Sequence, residues 1–373
     1  MELFTTLRLI SFSSLLIFAV VGAYPQTATP SPARTPVIAE EDDVVKVESR
    51  LVIVPVSVTD SQGEAVKGLK AADFRMSEEN RPQIIDSVGN AESVPLEIAL
   101  LIDVSGSVNP LFDFEKKAAA QFLQTVMKPD DRATIFLIGD KPTAVLQSEN
   151  ATLAATRLQS VVPSGKFTAF YDTVSAASRY LRQNAPVKSL RVIVALTDGE
   201  DNWSDLVRDQ EKATYRDVDV SSLTTQKRNQ LAATTDKAHL NAQTVISRAL
   251  QDADTVFYVI NPGGTSIKLN KISMRAQAGM EKFANETGGT FFLPSFVPTS
   301  TKDPLQNASN QKRNEATLDR IFRQLANDLR AQYLVQYYSE SDFPKDKFVK
   351  LGVSLQNPAA YKVRARQGYY VKK

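Results

Sequence analysis

Asp103, Ser105 and Ser107 stand at alternate positions in LLIDVSGSVNP, residues 100–110, directly after a run of buried-type aliphatic residues. Three oxygen-bearing side chains in one turn cost desolvation unless something pairs with their oxygens. Two other places offer matching chemistry. Thr168 lies in SGKFTAFYDTV, in a loop just before a helix, and Asp198 lies in LTDGEDN, where the strand LRVIVAL ends. Two carboxylates and three hydroxyls form a hard, all-oxygen donor set, suited to Mg2+, Mn2+ or Ca2+ and unsuited to copper or zinc. The plain alternative for a DxSxS turn by itself is a strand terminus whose side chains cap the following helix.

The elements that must position these residues are readable from periodicity. LEIALLI, residues 96–102, is a continuous apolar run of the kind covered on both faces of a sheet, and RATIFLI, LRVIVALT and DTVFYVI are further candidate parallel strands. In FDFEKKAAAQFLQTVM, Phe114, Ala118, Phe122 and Val126 recur at helical spacing, and further helices are expected near 170–182, 240–251, 274–286 and 315–330. TAVLQS, residues 143–148, is too short for a crossover and suits an antiparallel edge. The alternation predicts a doubly wound α/β domain over residues 96–330 with a mostly parallel sheet. Each candidate ligand follows a strand or precedes a helix, so all of them belong on the carboxyl-end face, where open α/β sheets bind ligands.

Flanking this domain the texture is all-β. RLVIVPVSVTD, residues 50–60, alternates like a half-buried strand, and Pro55 within it predicts an edge or bulged strand. AQYLVQYY, FVKLGVSL and YKVRARQGYYV repeat the pattern near the other end, so residues 45–95 and 331–373 are expected to build one small β-sandwich together. At the start of the chain, Arg8, the apolar stretch from Leu9 to Val21 and the small residue Ala23 read as a signal peptide over residues 1–23. An uncleaved anchor is the alternative, but the run falls short of the roughly 20 residues that span a bilayer, so no membrane span is expected in the mature chain. Residues 24–44, rich in Pro, Thr and Ser, read as a disordered linker. These features predict a secreted protein or one of the periplasm or cell envelope.

Composition removes several classes of function. The 373 residues contain no cysteine, which excludes disulfides, thiolate metal sites and cysteine nucleophiles, and a single histidine, His239, which removes most hydrolytic triads. A net charge of +2 gives no reason to expect nucleic acid. His239 reads as a surface residue in a polar segment, and Glu200 and Asp201 read as solvated turn residues.

Taken together, DVSGS, Thr168 and the Asp198 of TDG resemble the metal-ion-dependent adhesion site of the von Willebrand factor type A fold. VPVSVTDSQGEAVKGLKAADFRMSEENRPQ before the site and LRAQYLVQYY with YKVRARQGYY after it are similar to the bacterial von Willebrand factor A-related Acidobacterial domain family. The resemblance implies that the first strand of the α/β domain lies beside the strand ending at Asp198. It further implies that Ser105 and Ser107 are direct ligands of Mg2+, or of Mn2+ or Ca2+. Thr168 would join when a partner is bound, and Asp103 and Asp198 would act directly or through water. With so few charged ligands the ion keeps an open position for an external carboxylate. Residues 203–240 depart from the family as a longer, polar connection, either a solvated excursion or a rim carrying Trp203, Leu206 and Tyr215 over the ligand face.

The leading expectation is therefore an exported interaction or adhesion module, not an enzyme, that binds an unidentified protein or acidic ligand through a divalent metal. The alternatives are a metal-dependent hydrolase and a structural domain with an empty metal site.

Overall fold

The computed structural model describes residues 50–105, 112–163, 165, 167–216, 224–262, 270–299, 301–357 and 361–371. The signal peptide, the linker and Ser107 lie outside the described residues.

The chain begins in β1 (Arg50–Thr59), β2 (Phe74–Glu78), β3 (Arg81–Gln83) and β4 (Ile85–Asn90), then enters the α/β domain at β5 (Leu96–Asp103). There follow α1 (Phe112–Val126), β6 (Arg132–Ile138), β7 (Thr143–Glu149), α2 (Ala151–Gln159), α3 (Phe170–Asn184) and β8 (Leu190–Leu196). After them come α4 (Asp205–Tyr215), α5 (Thr225–Asp252), β9 (Thr255–Ile260), α6 (Lys271–Thr287), β10 (Phe291–Phe292) and α7 (Pro304–Arg330). The chain then returns to β structure in β11 (Tyr333–Ser339), β12 (Phe348–Leu355), β13 (Lys362–Ala365) and β14 (Gly368–Tyr370).

A six-stranded sheet in the order β10-β9-β8-β5-β6-β7 forms the centre of the α/β domain, parallel except for β7, which pairs antiparallel with β6 at the edge. Because side chains alternate across a strand, β5 feeds two cores. Ile98, Leu100 and Ile102 pack among α1, α2 and α7, while Ala99 and Leu101 pack among α3, α5 and α6. β8 and β9 divide their residues in the same way. Helices on both faces explain why these strands read as unbroken apolar runs.

The β segments flanking the α/β domain pair with each other as expected. One sheet runs β13-β1-β11-β4 and the other β14-β12-β2-β3, so each combines strands from before and after the α/β domain. Val52, Val54, Val56 and Val58 point inward from β1 with Tyr333, Val335 and Tyr337, while Leu51 and Ile53 are exposed, a period-2 pattern. Within this core the buried Glu78 carboxylate accepts hydrogen bonds from the hydroxyls of Tyr337, Ser339 and Tyr369 at 2.8, 2.9 and 2.6 Å. The sandwich is tied to the α/β domain by Arg364, which pairs with the buried Asp328 of α7 at 2.6 Å.

Three expectations about elements change. β1 is an inner strand, not an edge. Pro55 faces Leu334 of β11, but the pairing with β13 starts only at Val56, so the missing N–H falls before that ladder begins. The polar connection after Trp203 holds α4 and the first half of a 28-residue α5, which starts fifteen residues earlier than periodicity suggested. It is anchored by the buried Val207 and Leu231. On α1 the buried face is carried by Ala118, Phe122 and Val126 as expected, whereas Phe114 is only half-buried.

Candidate metal site at the carboxyl end of the sheet

β5 and β8 are parallel neighbours, with Ile102 opposite Leu196, so both strands deliver their last residues to one place. Asp103 is fixed there from two sides. Its Oδ1 accepts from the Ser105 N–H at 3.0 Å and from the Ser105 hydroxyl at 2.5 Å, and its Oδ2 accepts from the Thr197 hydroxyl at 2.6 Å. Burial pushes the Asp103 carboxyl above the usual carboxylate range, against the pull of the hydrogen bonds from Ser105 and Thr197.

Asp198 follows Thr197 and reaches the surface, with Oδ1 accepting from the Glu200 N–H at 3.0 Å. Protein crowding around the carboxyl desolvates it, and with the charges of Asp103 and Glu200 pushes it up to about 6. The next residue has to be glycine. Gly199 has φ +71°, and a Cβ there would sit 2.5 Å from Met280 Sδ.

The Thr168 loop is brought in by backbone. Ser105 forms a parallel bridge with Gly165, and the Ala169 N–H donates to the Gly139 carbonyl at the end of β6 at 2.7 Å. Asn202 clamps Thr168 in both directions: its Oδ1 accepts from the Thr168 N–H at 2.8 Å, and its N–H donates to the Thr168 carbonyl at 3.0 Å. Asp201, expected as a solvated turn residue, is instead buried. Its two oxygens accept from the N–H groups of Tyr171, Trp203 and Ser204 and from the Ser204 hydroxyl, joining the starts of α3 and α4. Glu200 is half-buried and accepts from the Ser273 hydroxyl at 2.5 Å.

Asp103, Ser105, Thr168 and Asp198 thus stand on three loops at one end of the sheet. Thr197, Asn202 and Glu115 were missed in the sequence. Glu115 was detectable, because an acidic residue spaced three, four and seven positions before Ala118, Ala119 and Phe122 lies on the apolar face of α1. It is buried, and desolvation with the charges of Asp103 and Asp198 pushes its carboxyl up to about 7.

The donor set suits a hard cation. Two carboxylates with raised proton affinity lie close enough to repel each other, beside hydroxyl oxygens that keep lone pairs free to accept a metal. Among the described residues no group of three or more His, Cys, Asp or Glu has the arrangement of a metal centre, so a site here depends on the hydroxyls as well. The rim is aromatic. Phe167 stacks on Trp203 with ring centroids 4.0 Å apart, and the Arg208 guanidinium lies 4.8 Å from the Trp203 ring. Leu206 packs onto the core below, and the Tyr215 side chain lies outside the described residues.

Residues 98–200 match the sequence profile of the von Willebrand factor type A domain, over the stretch that carries Asp103, Thr168 and Asp198. The chain carries a von Willebrand factor type A domain over these residues. Domains of this type commonly bind a divalent metal at this place and generally serve as interaction modules.

No curated protein matches the chain. Among solved structures it is similar to an aerotolerance-related membrane protein of Bacteroides fragilis, at 14% identity and a TM-score of 0.33, over 60% of this chain and 99% of that one. It is similar to a von Willebrand factor type A protein of Catenulispora acidiphila at 11% identity and a TM-score of 0.39, over 87% of this chain and 74% of that one. It is also similar to proximal thread matrix protein 1 of the mussel byssus, with zinc in its adhesion-site motif, at 14% identity and a TM-score of 0.40. That match covers 68% of this chain and half of the mussel protein.

Proposed function

We propose that the protein is an exported interaction module that binds an acidic group of a protein partner through a divalent cation, Mg2+ in the first instance. Asp103, Ser105, Ser107, Thr168 and Asp198 are assigned as the residues that hold it. The observation that carries the reading is the convergence of Asp103, Thr168 and Asp198 through the Thr197 and Asn202 hydrogen bonds. When bound, the cation supplies an electrophilic position for an external carboxylate. The chain's own residues do the rest. Thr197 and Ser105 hold the Asp103 carboxylate in one orientation, and Asn202 and Asp201 fix the loop from which Thr168 reaches the site. Phe167 and Trp203 offer an aromatic contact surface beside it, with Arg208 held over the Trp203 ring and paired with Asp205.

Titration calorimetry with Mn2+ and Mg2+ tests the metal, and retention of the protein on immobilised poly-glutamate, with and without EDTA, tests the carboxylate. The wild type should bind the metals, and Asp103→Ala and Asp198→Ala should lose them while remaining folded. Retention should vanish with EDTA. Unchanged metal affinity in both variants overturns the site, and EDTA-insensitive retention overturns the use of the metal in binding.

A further inference from the structure

The chain's single tryptophan stands beside the cation site and is held from several sides. The Trp203 N–H is shared between the Thr168 carbonyl at 3.1 Å and Asp201 Oδ1 at 3.3 Å, so its backbone is tied to a candidate ligand and to the buried acid that joins α3 and α4. Phe167 stacks on its ring with centroids 4.0 Å apart, and the Arg208 guanidinium lies 4.8 Å from the same ring. Arg208 is itself paired with Asp205, so its charge is answered within the chain. Phe167 directly precedes Thr168 and is 41% exposed. An exposed aromatic stack already fixed in place is a contact surface with a low ordering cost, because little side-chain freedom remains to be lost on binding. A carboxylate gains nothing from an aromatic face, where the quadrupole is negative. The stack therefore complements an apolar or aromatic side chain, while the cation complements an acid.

We propose that the site takes a protein segment in which an Asp or Glu is flanked, one or two residues away, by an aromatic or large aliphatic side chain that packs on Phe167 and Trp203. The inference rests on the reading of the Asp103, Thr168 and Asp198 cluster as a divalent-cation site. The spacing follows from chain geometry. Phe167 and Thr168 are adjacent, so their Cα atoms lie about 3.8 Å apart, and an extended partner advances about 3.3 Å per residue. The acid gives affinity for any partner that bears a carboxylate, and its apolar neighbour decides among such partners.

The test flows the full chain, with Mn2+, over repeats of Gly-Ser-Phe-Glu, of Gly-Ser-Ala-Glu and of Gly-Ser-Phe-Gln immobilised at equal density, and over polygalacturonate, an acidic glycan. The Phe-Glu repeat should bind about 10-fold tighter than the Ala-Glu repeat, the scale of one packed aromatic side chain. EDTA should release both, and the Phe-Gln repeat should not bind. Phe167→Ala, and separately Trp203→Leu, should bring the ratio of the two glutamate repeats toward one. The ratio is the readout, because loss of the fold or of the cation weakens both repeats together. Equal, EDTA-sensitive affinity of the wild type for Phe-Glu and Ala-Glu overturns the role of the stack and leaves the cation site standing. A ratio unchanged in both variants does the same. Tighter binding of polygalacturonate than of the Phe-Glu repeat overturns the assignment to a protein segment. EDTA-insensitive binding of the Phe-Glu repeat, or no binding of either glutamate repeat, overturns the cation reading and this inference with it.

Discussion

The Thr197 hydroxyl donates to Asp103 Oδ2 at 2.6 Å, joining the carboxyl ends of two adjacent parallel strands. The same hydroxyl oxygen accepts from the Gly199 N–H at 2.9 Å, so one buried side chain orients both the acid of the first loop and the turn that carries Asp198. Thr197→Val keeps the shape and removes both bonds. It should cost about 1–3 kcal/mol, the range for a buried hydrogen bond to a charged group. Urea unfolding measures the loss, and Mn2+ titration should show weaker binding as the Asp103 carboxylate loses its orientation. Unchanged Mn2+ affinity would show that Asp103 needs no such support.

Asp201 gathers three backbone N–H groups and one hydroxyl, at 6% exposure. Asp201→Ala leaves these donors without an acceptor and should destabilise the protein by about 2–4 kcal/mol. Asp201→Asn, which keeps two acceptor positions at one oxygen, should cost less. A loss below about 1 kcal/mol in Asp201→Ala, on the scale typical of surface substitutions, would return the residue to the role of a solvated turn.

His239 is buried against Tyr171, not on the surface, and desolvation followed by the charge of Arg275 pushes its pKa down to about 4, with Asp236 opposing. A folded-state pKa below the unfolded value near 6.5 means that the fold favours the neutral ring. The associated stability is complete above pH about 6.5 and is lost as pH falls toward 4, reaching about 3 kcal/mol. His239 is the chain's single histidine, so one set of imidazole proton resonances reports it directly. A midpoint near 6.5 in the folded protein would contradict the burial, and the wild type should lose stability relative to His239→Gln over the same interval.

Both neighbours of β1, β11 and β13, and one of the two neighbours of β2, β12, come from the last part of the chain. Ending the chain at residue 330 should therefore expose Val52, Val54, Val56 and Val58 along unpaired strand edges and cause aggregation with binding of a hydrophobic dye. Removing the first 93 residues as well should restore solubility. A monomeric, dye-negative product of the single truncation would mean that the N-terminal strands do not need their partners.

Much of this was legible in the sequence because it is local. A strand covered on both faces must read as an apolar run, which is how LEIALLI and LRVIVAL disclosed the sheet. A half-buried strand must alternate, which disclosed β1. The candidate ligands could be named because DVSGS and TDG each occupy one short stretch at a strand end, where side chains leave the core.

What the tertiary structure decided depends on partners far away in the chain. The inner position of β1 follows from where β13 begins, more than 300 residues later. The burial of Asp201 and His239 depends on Tyr171 and the helices packed around it, since a polar residue is stable inside only where other segments supply its donors or exclude its solvent. The isolation of Glu115 is of the same kind. Its spacing on α1 put it on the buried face, but only the tertiary fold decided that the charges acting on it, those of Asp103 and Asp198, would be acids.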